Sequence, residues 1–313
     1  MRAENRFPQA VELIEVGPRD GLQREKTILS PSEKVALIEE LLAAGLRRIQ
    51  VTSFVHPRAV PQMADAEEVC AHLPVHPEAR YSGLALNVRG VQRAQDAGLR
   101  EVDISVSASD AHSRRNANLG LDEALQEFDE MYAQARAADM HVRGGIQCAF
   151  GYRAPGDVTQ ETVLLIAEHY MDLGVDELAL ADSSGLANPR QMATLLQRVL
   201  ERTGEMPFIL HLHDTRGMGL ANALAALQCG VRLFDTSVGG LGGCPFIDGA
   251  SGNIATEDTA HMLQQMGIET GVDLLRLATV ARRLQRRLGK EQLPGKLYAL
   301  LAPEAGLEQK EMG

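Results

Sequence analysis

The sequence predicts an α/β protein, a (β/α)8 TIM barrel with an extra C-terminal helical segment. Short apolar, β-branched runs alternate eight times with longer stretches of helical period. Strands joined by helical crossovers run parallel and must be covered on their faces, which leaves a closed barrel or an open doubly wound sheet. Eight equal units favour closure. The open sheet is further opposed by Gly17-Pro18-Arg19-Asp20-Gly21 after the first strand, where a dinucleotide-binding fold carries Gly-x-Gly-x-x-Gly.

The first strand is Val11 to Val16, and the first helix runs from Pro31 to Ala44, with Ser30 and Pro31 as N-cap and first helical residue and Gly45 ending it. The second unit pairs a strand at Arg48 to Ser53 with a helix at Pro61 to Leu73. The third pairs Arg80 to Leu86 with Val88 to Ala97, stopped by Gly98. A fourth strand spans Glu101 to Ser107, and its helix begins near Leu121 and reaches Ala138. Strands follow at His141 to Ala149, Glu177 to Ala181, Phe208 to His213 and Arg232 to Ser237. Their helices are Gln160 to Asp172, Pro189 to Glu201, Met218 to Cys229 and Thr256 to Met266. Residues 1–270 are therefore expected to form the barrel. Residues 271–313 are read as a helical appendage, Leu274 to Leu288, with a polar tail too small to bury a core of its own.

Composition narrows the function. The chain has 313 residues, 45% hydrophobic and 23% charged, and a net charge of -11, which opposes non-specific binding to nucleic acid or anionic membranes. Seven Phe, five Tyr and no Trp offer little for stacking on single strands. No stretch approaches the roughly 18 apolar residues of a membrane span, and no apolar leader opens the chain, so a cytoplasmic protein is expected. Cys70, Cys148, Cys229 and Cys244 form no CxxC pair, so reduced thiols are expected. Cys70 and Cys229 read as packing residues, and Cys148 as core or pocket.

In a barrel of this kind chemistry sits at the carboxyl ends of the strands. Arg19, Asp20 and Gln23 follow strand one, and Gln50, Thr52 and Ser53 lie on strand two. Asp182-Ser183-Ser184 ends strand six, and His211-Leu212-His213-Asp214 ends strand seven. Residues i and i+2 on a strand share a side, so His211 and His213 project together into the barrel mouth. Such a pair suits a divalent metal, or two buried histidines bonded to carbonyls. Strands one, seven and eight are contiguous in a closed barrel, so Asp20 and Asn253 could complete a mixed N/O shell for Mg, Mn, Co or Zn. Arg19 beside such a site is either a surface ion-pair residue or a fixed positive charge for an enolate oxygen. Six glycines in the fourteen residues Gly239 to Gly252 read as a mobile lid carrying Cys244. The run His112 to Asn116 is either a solvated loop or, through Arg114 and Arg115, a phosphate holder.

The sequence resembles the 3-hydroxy-3-methylglutaryl-CoA lyase family, within the metal-dependent barrel lyases that include isopropylmalate and homocitrate synthases. The resemblance is carried by Val16 to Gln23, Thr52-Ser53-Phe54-Val55, Val60-Pro61-Gln62-Met63, His211 to Thr215, Gly240 to Pro245, Gly249 to Asn253 and Thr256-Glu257-Asp258. It implies a metal, Mg or Mn before Co or Zn, held by Asp20, His211, His213 and Asn253. It implies retro-Claisen cleavage of a 3-hydroxyacyl-CoA with Arg19, Asp20, His211, Asp182 and Cys244 as catalytic residues. Gln23, Gln50, Ser53, Arg143, Asn87 and Arg114 are expected to meet the acyl-CoA, with CoA lying across the loops of the last two. A homo-oligomer is left open. Two departures bear on substrate. Gln50 stands where the family carries a glutamate, which raises the local charge by one. Gly145 and Gln147 stand where the lyases carry a tyrosine and a serine, and Tyr152 replaces a cysteine, so the acyl pocket is expected to differ in shape. The alternatives are citramalyl-CoA or a longer 3-hydroxy-3-alkylglutaryl-CoA as substrate, an aldolase of free oxo acids, and a non-catalytic barrel.

Overall fold

The computed structural model describes residues 7–154, 156–243 and 252–303. Eight parallel strands, each paired with the next and the last with the first, close a barrel in the order β1 to β8. They are β1 Glu12–Glu15, β2 Arg48–Ser53, β3 Arg80–Ala85, β4 Glu101–Ser107, β5 His141–Gln147, β6 Glu177–Asp182, β7 Phe208–Leu212 and β8 Leu233–Thr236. The surrounding helices are α1 Pro31–Ala43, α2 Ala66–Ala71, α3 Val88–Asp96, α4 Asp110–Ala117, α5 Leu121–Ala137, α6 Gln160–Leu173, α7 Pro189–Thr203, α8 Gly219–Gln228 and α9 Thr256–Gln265, followed by α10 Leu274–Arg287 and α11 Leu297–Leu301. None of the described helices is long and apolar enough to cross a membrane.

Local chemistry explains the boundaries. Ser30 and Glu33 form the capping box of α1, with the Ser30 amide 2.8 Å from Glu33 Oε2. The single helix expected at Pro61 to Leu73 is instead a 3-10 turn, Pro61–Met63, and the short α2. Buried Lys34 is the cause: its Nζ donates to the Gln62 carbonyl and to Asp65 Oδ1 at 2.6 Å, taking acceptors from the join between the two pieces. The run His112 to Asn116 is helical and not a loop. Ser109 Oγ caps α4 by accepting from the His112 amide, and Asn118 ends it in the left-handed region. Strand β5 stops two residues short of Ala149, because Cys148 also has a positive φ. The stretch read as a polar tail contributes α11, and α10 packs against α1, α9 and α11 of the same chain.

The main hydrophobic core lies between barrel and helices, and a smaller one, Ile14, Ala179 and Ile209 with Leu233, crosses the interior. Below that belt the barrel is charged. Arg48 meets Glu177 at 2.6 Å and Glu12 at 3.7 Å, and Arg80 pairs with Glu101. Burial would raise the Glu177 carboxyl, but His141 and Arg48 outweigh it and hold it at about 2. A buried carboxylate stripped of its main partner costs about 3–5 kcal/mol. Arg48→Met is therefore expected to lower stability by about that amount in denaturant unfolding, and Arg48→Met/Glu177→Leu by clearly less. Equal losses would show that the pair is not what holds this layer.

Candidate active site

The site grows from the turn after β1. Residues Gly17–Gly21 form one wide π-helical turn, with the Leu22 amide donating to the Gly17 carbonyl at 3.0 Å. The turn carries Arg19 and Asp20 to the barrel mouth. Asp20 Oδ1 accepts from Arg19 Nη1 and Gln23 Nε2, each at 2.7 Å, and Oδ2 accepts from Asn253 Nδ2 at 2.7 Å. Burial pushes the Asp20 carboxyl up, but Arg19, His211, His213 and Asn253 outweigh it and hold it below the usual range.

On β7, His211 Nδ1 lies 3.0 Å from Asp235 Oδ2. Burial would raise Asp235, yet Arg143 and His211 keep it ionised. An ionised carboxylate only accepts, so His211 donates from Nδ1 and turns its Nε2 into the site. That nitrogen faces His213 Nε2 at 3.1 Å. His213 is pulled down to about 4 by burial and by His211, so it is neutral at physiological pH. Two imidazole nitrogens at this spacing can share one proton or one cation.

Asp20, His211 and His213 bring one ligand atom each to within 4.8 Å of one another. Asn253 spends both hydrogens of its amide, on Asp20 and on the Leu241 carbonyl at 2.9 Å, and its buried Oδ1 has no hydrogen-bond partner. An orphaned buried carbonyl oxygen beside a carboxylate and two imidazoles fits a hard or borderline divalent cation. Gly242 makes this approach feasible: at φ +122° it lies where a Cβ would come 2.4 Å from Asn253 Nδ2 and 2.9 Å from Asp20 Oδ2.

Further side chains close a polar ring inside the barrel. Arg19 Nε donates to Gln50 Oε1, and Gln50 Nε2 donates to Asp103 Oδ2, which also accepts from Ser82 Oγ at 2.8 Å. Asp103 Oδ1 lies 3.9 Å from Arg143 Nε. Arg143 grips Asp235 with both terminal nitrogens, and Asp235 leads back to His211. Burial lowers the Arg143 guanidinium, but Asp235 and Asp103 more than reverse this, so it stays charged. The loss of a carboxylate at position 50 was expected to raise the local charge by one. Asp103 stands beside this position, a carboxylate in hydrogen-bonding contact with the Gln50 amide.

The remaining sequence-derived candidates are placed as follows. Asp182 accepts from the Leu186 and Ala187 amides at 3.0 Å each and so clips the turn into α7; burial raises it to about 6. Asn87 Oδ1 caps α3 through the Gly90 amide at 2.8 Å. Ser53 is buried at the end of β2. Arg114 pairs with Asp110 on the exposed side of α4, while Arg115 reaches Tyr152 Oη at 3.3 Å. Gln147 Nε2 donates to Ser105 Oγ at 2.7 Å. Cys244 and most of the lid, residues 244–251, lie outside the described residues.

Sequence reasoning missed Asp103, Asp235, Glu15 and Glu257. Glu15 Oε1 accepts from the Gly17 and Val238 amides, each at 2.8 Å, and Oε2 from Thr256 Oγ1 at 2.7 Å. Glu257 accepts from the Gly239 amide at 2.9 Å. The two carboxyls thus clip both roots of the segment between β8 and α9. A strap from the C-terminal region backs it: the Gly295 amide donates to the Gly239 carbonyl at 2.8 Å, and the Leu297 amide to Asp258 Oδ1 at 2.7 Å.

Comparison with known proteins places this geometry. The family model described as HMGL-like matches residues 10–284. The chain is 44% identical over 285 residues to the mitochondrial hydroxymethylglutaryl-CoA lyase of Bos taurus, covering 90% of this chain and 88% of that one. It is 44% identical over 281 residues to the hydroxymethylglutaryl-CoA lyase of Pseudomonas mevalonii, covering 90% and 93%. An HMG-CoA lyase from Acinetobacter baumannii, solved with coenzyme A and 3-methylmalate, superposes with a TM-score of 0.89 at 38% identity, over 94% of this chain and 95% of that one.

Burial raises Glu15 from 4.5 to about 7 and Glu257 from 4.5 to about 8. The folded protein therefore holds protons that the unfolded chain has released, and stability falls as pH rises from about 4.5 to about 8. In Glu257→Gln the melting temperature of the metal-free protein is expected to fall less steeply across that window than in the wild type. Parallel slopes would show that Glu257 does not titrate there.

Proposed function

The chain belongs to the HMGL-like family, and on that premise we propose that it is a carbon-carbon lyase that cleaves 3-hydroxy-3-methylglutaryl-CoA to acetoacetate and acetyl-CoA. The observation that carries this reading is the cluster at the barrel mouth, where two histidines, one ionised aspartate and one orphaned amide oxygen converge beside a fixed guanidinium. Similarity to named lyases over about nine-tenths of the chain supports the substrate.

Asp20, His211, His213 and Asn253 would hold the divalent cation, Mg or Mn. Bound there it supplies Lewis acidity, easing loss of a hydroxyl proton and favouring negative charge on nearby oxygens. Cleavage needs a base for the C3 hydroxyl proton, a stabiliser for the enolate left when the C2–C3 bond breaks, and an acid for C2. The base is sought at a water held near Asp20, because His211 Nε2, the other candidate, would be spent on the cation. Arg19 has Nε and Nη1 engaged by Gln50 and Asp20, so its Nη2 edge is turned to the enolate oxygen. Its charge persists throughout, so it stabilises and never accepts the proton. Protonation of C2 is assigned to Cys244 by the family resemblance. A coenzyme A handle, as in the Acinetobacter neighbour, would lie across Asn87 at the start of α3 and Arg114 on α4. Residues 1–270 would carry this machinery, with 271–313 as an appendage.

A second reading of the acyl group is favoured by β5. A Cβ at Gly145 would come 2.9 Å from the Ser105 Cβ, so Ser105 already fills the place beside Gly145, and its bond to Gln147 makes this wall polar. On this reading, a wall altered in this way selects a longer 3-hydroxy-3-alkylglutaryl-CoA.

Acetyl-CoA release by Mg- or Mn-loaded protein, with a chelator control, decides between them. Chelator-sensitive release with hydroxymethylglutaryl-CoA as the preferred thioester supports the first reading, and preference for a longer homologue supports the second. Release from neither would remove the lyase assignment. His213→Ala should lose bound metal by elemental analysis, and Arg19→Met should lower kcat by about 10²–10³ with metal retained. Arg114→Ala/Arg115→Ala should raise KM for the thioester; an unchanged KM would remove the CoA placement.

A further inference from the structure

We propose that Asp103, acting through Gln50, is a positioning residue for the cleavage reaction: it fixes the rotation of the Arg19 guanidinium at the barrel mouth. The inference rests on the lyase reading of Arg19 given above. Its basis is the polarity of three consecutive side chains. Arg19 can only donate and an ionised Asp103 can only accept, while the Gln50 amide has one group of each kind. Gln50 must therefore turn its Oε1 to Arg19 Nε and its Nε2 to Asp103 Oδ2, which is the arrangement found. Neither alternative orientation of the amide satisfies both neighbours. With Gln50 2% and Asp103 7% exposed, water has little access to replace a lost bond.

The two ends of this link differ in what anchors them. Asp103 belongs to the barrel wall, where Ser82 on β3 donates to it at 2.8 Å and Arg143 on β5 stands 3.9 Å away. Arg19 sits on the turn beyond β1, and its other bond is to Asp20, the next residue of the same turn. That bond runs to a neighbour held by Gln23 and Asn253, so it fastens the guanidinium to the rim and not to the wall. The Gln50 bridge ties the turn to the wall, so the direction of the guanidinium is set by β2 and β4. Asp103 touches no reacting atom and acts only by holding Arg19 where charge develops.

A charge exchange tests the link. Gln50→Glu sets two acceptors against each other, and Asp103→Asn frees the Gln50 amide to turn over. The double variant Gln50→Glu/Asp103→Asn restores one acceptor facing two donors at unchanged total charge. In full-length, Mn-loaded protein with hydroxymethylglutaryl-CoA, each single change should lower kcat up to about 10²-fold with KM nearly unmoved. The double variant should recover to within about threefold of wild type. A double variant as impaired as the product of its singles would overturn the inference, and so would a rise in KM with kcat intact. The Arg19 Nε–H resonance, assigned by its loss in Arg19→Lys, gives a readout without substrate. Its exchange with solvent should quicken in each single variant and slow again in the double; unchanged exchange would also overturn the inference. If wild type cleaves no thioester, the proposed function fails while the exchange measurement still decides whether Asp103 holds Arg19. Should Asp103→Asn not fold, Ser82→Ala, which loosens Asp103, is expected to show the same pattern in smaller degree.

Discussion

The structure turns on a rule about parallel barrels: an interior closed to water tolerates charge only when each charged group meets a partner of opposite character. The ring from Arg19 through Gln50, Asp103, Arg143, Asp235, His211 and His213 to Asp20 obeys that rule, through hydrogen bonds for most of its links and through ion-pair contacts at 3.9 Å between Asp103 and Arg143 and between His213 and Asp20. It takes members from β2, β4, β5, β7, β8 and the turn after β1. The orientation of the two histidines and of the arginine is thereby a property of the whole barrel and not of the loops that carry them. A carboxylate holding the far nitrogen of a histidine also fixes which nitrogen remains bare for a cation.

The barrel is consequently divided along its axis. Its lower end is closed by Arg48, Glu177, Arg80 and Glu101, its middle by Ile14, Ala179, Ile209 and Leu233, and its upper end by the reactive ring. The two charged layers still feel each other, since Glu177 of the lower one is among the groups that hold the Arg143 guanidinium charged. The layering matches the general division of such barrels into a stabilising face and a catalytic face.

Much of this was legible in the sequence. Eight strand-helix alternations are a long, repeated signal, and His211 and His213 share a side by strand geometry alone. Arg19, Asp20 and Asn253 were found because they stand in loops at strand ends, where polar residues attract attention. Asp103 and Asp235 were overlooked because they lie within strands. The signal was nevertheless present: Glu101, Asp103, Ser105 and Ser107, like Asp235 and Ser237, recur with period two in strands that a fully covered sheet would make apolar. Glu15 and Glu257 gave no such signal, since their roles depend on backbone amides brought together only by closure of β1 against β8. The helix at Asp110–Ala117 had its marks in Ser109 and Asn118, but its polar composition suggested a loop.

The strap formed by Leu293 to Leu297 has a meaning in time as well as in space. It supplies a backbone partner to Gly239 and fills the space that a side chain there would need, with Leu293 Cδ1 only 2.3 Å from the position of a Cβ. Asn253 is thus presented by a segment whose support follows α10 in the chain. On the ribosome β1 to β8, with Asp20, His211 and His213, are all made before that support. The fourth ligand acquires its backing only once residues 293–297 have been added, so a chain cut before them would carry three ligands and the fourth on an unbraced rim.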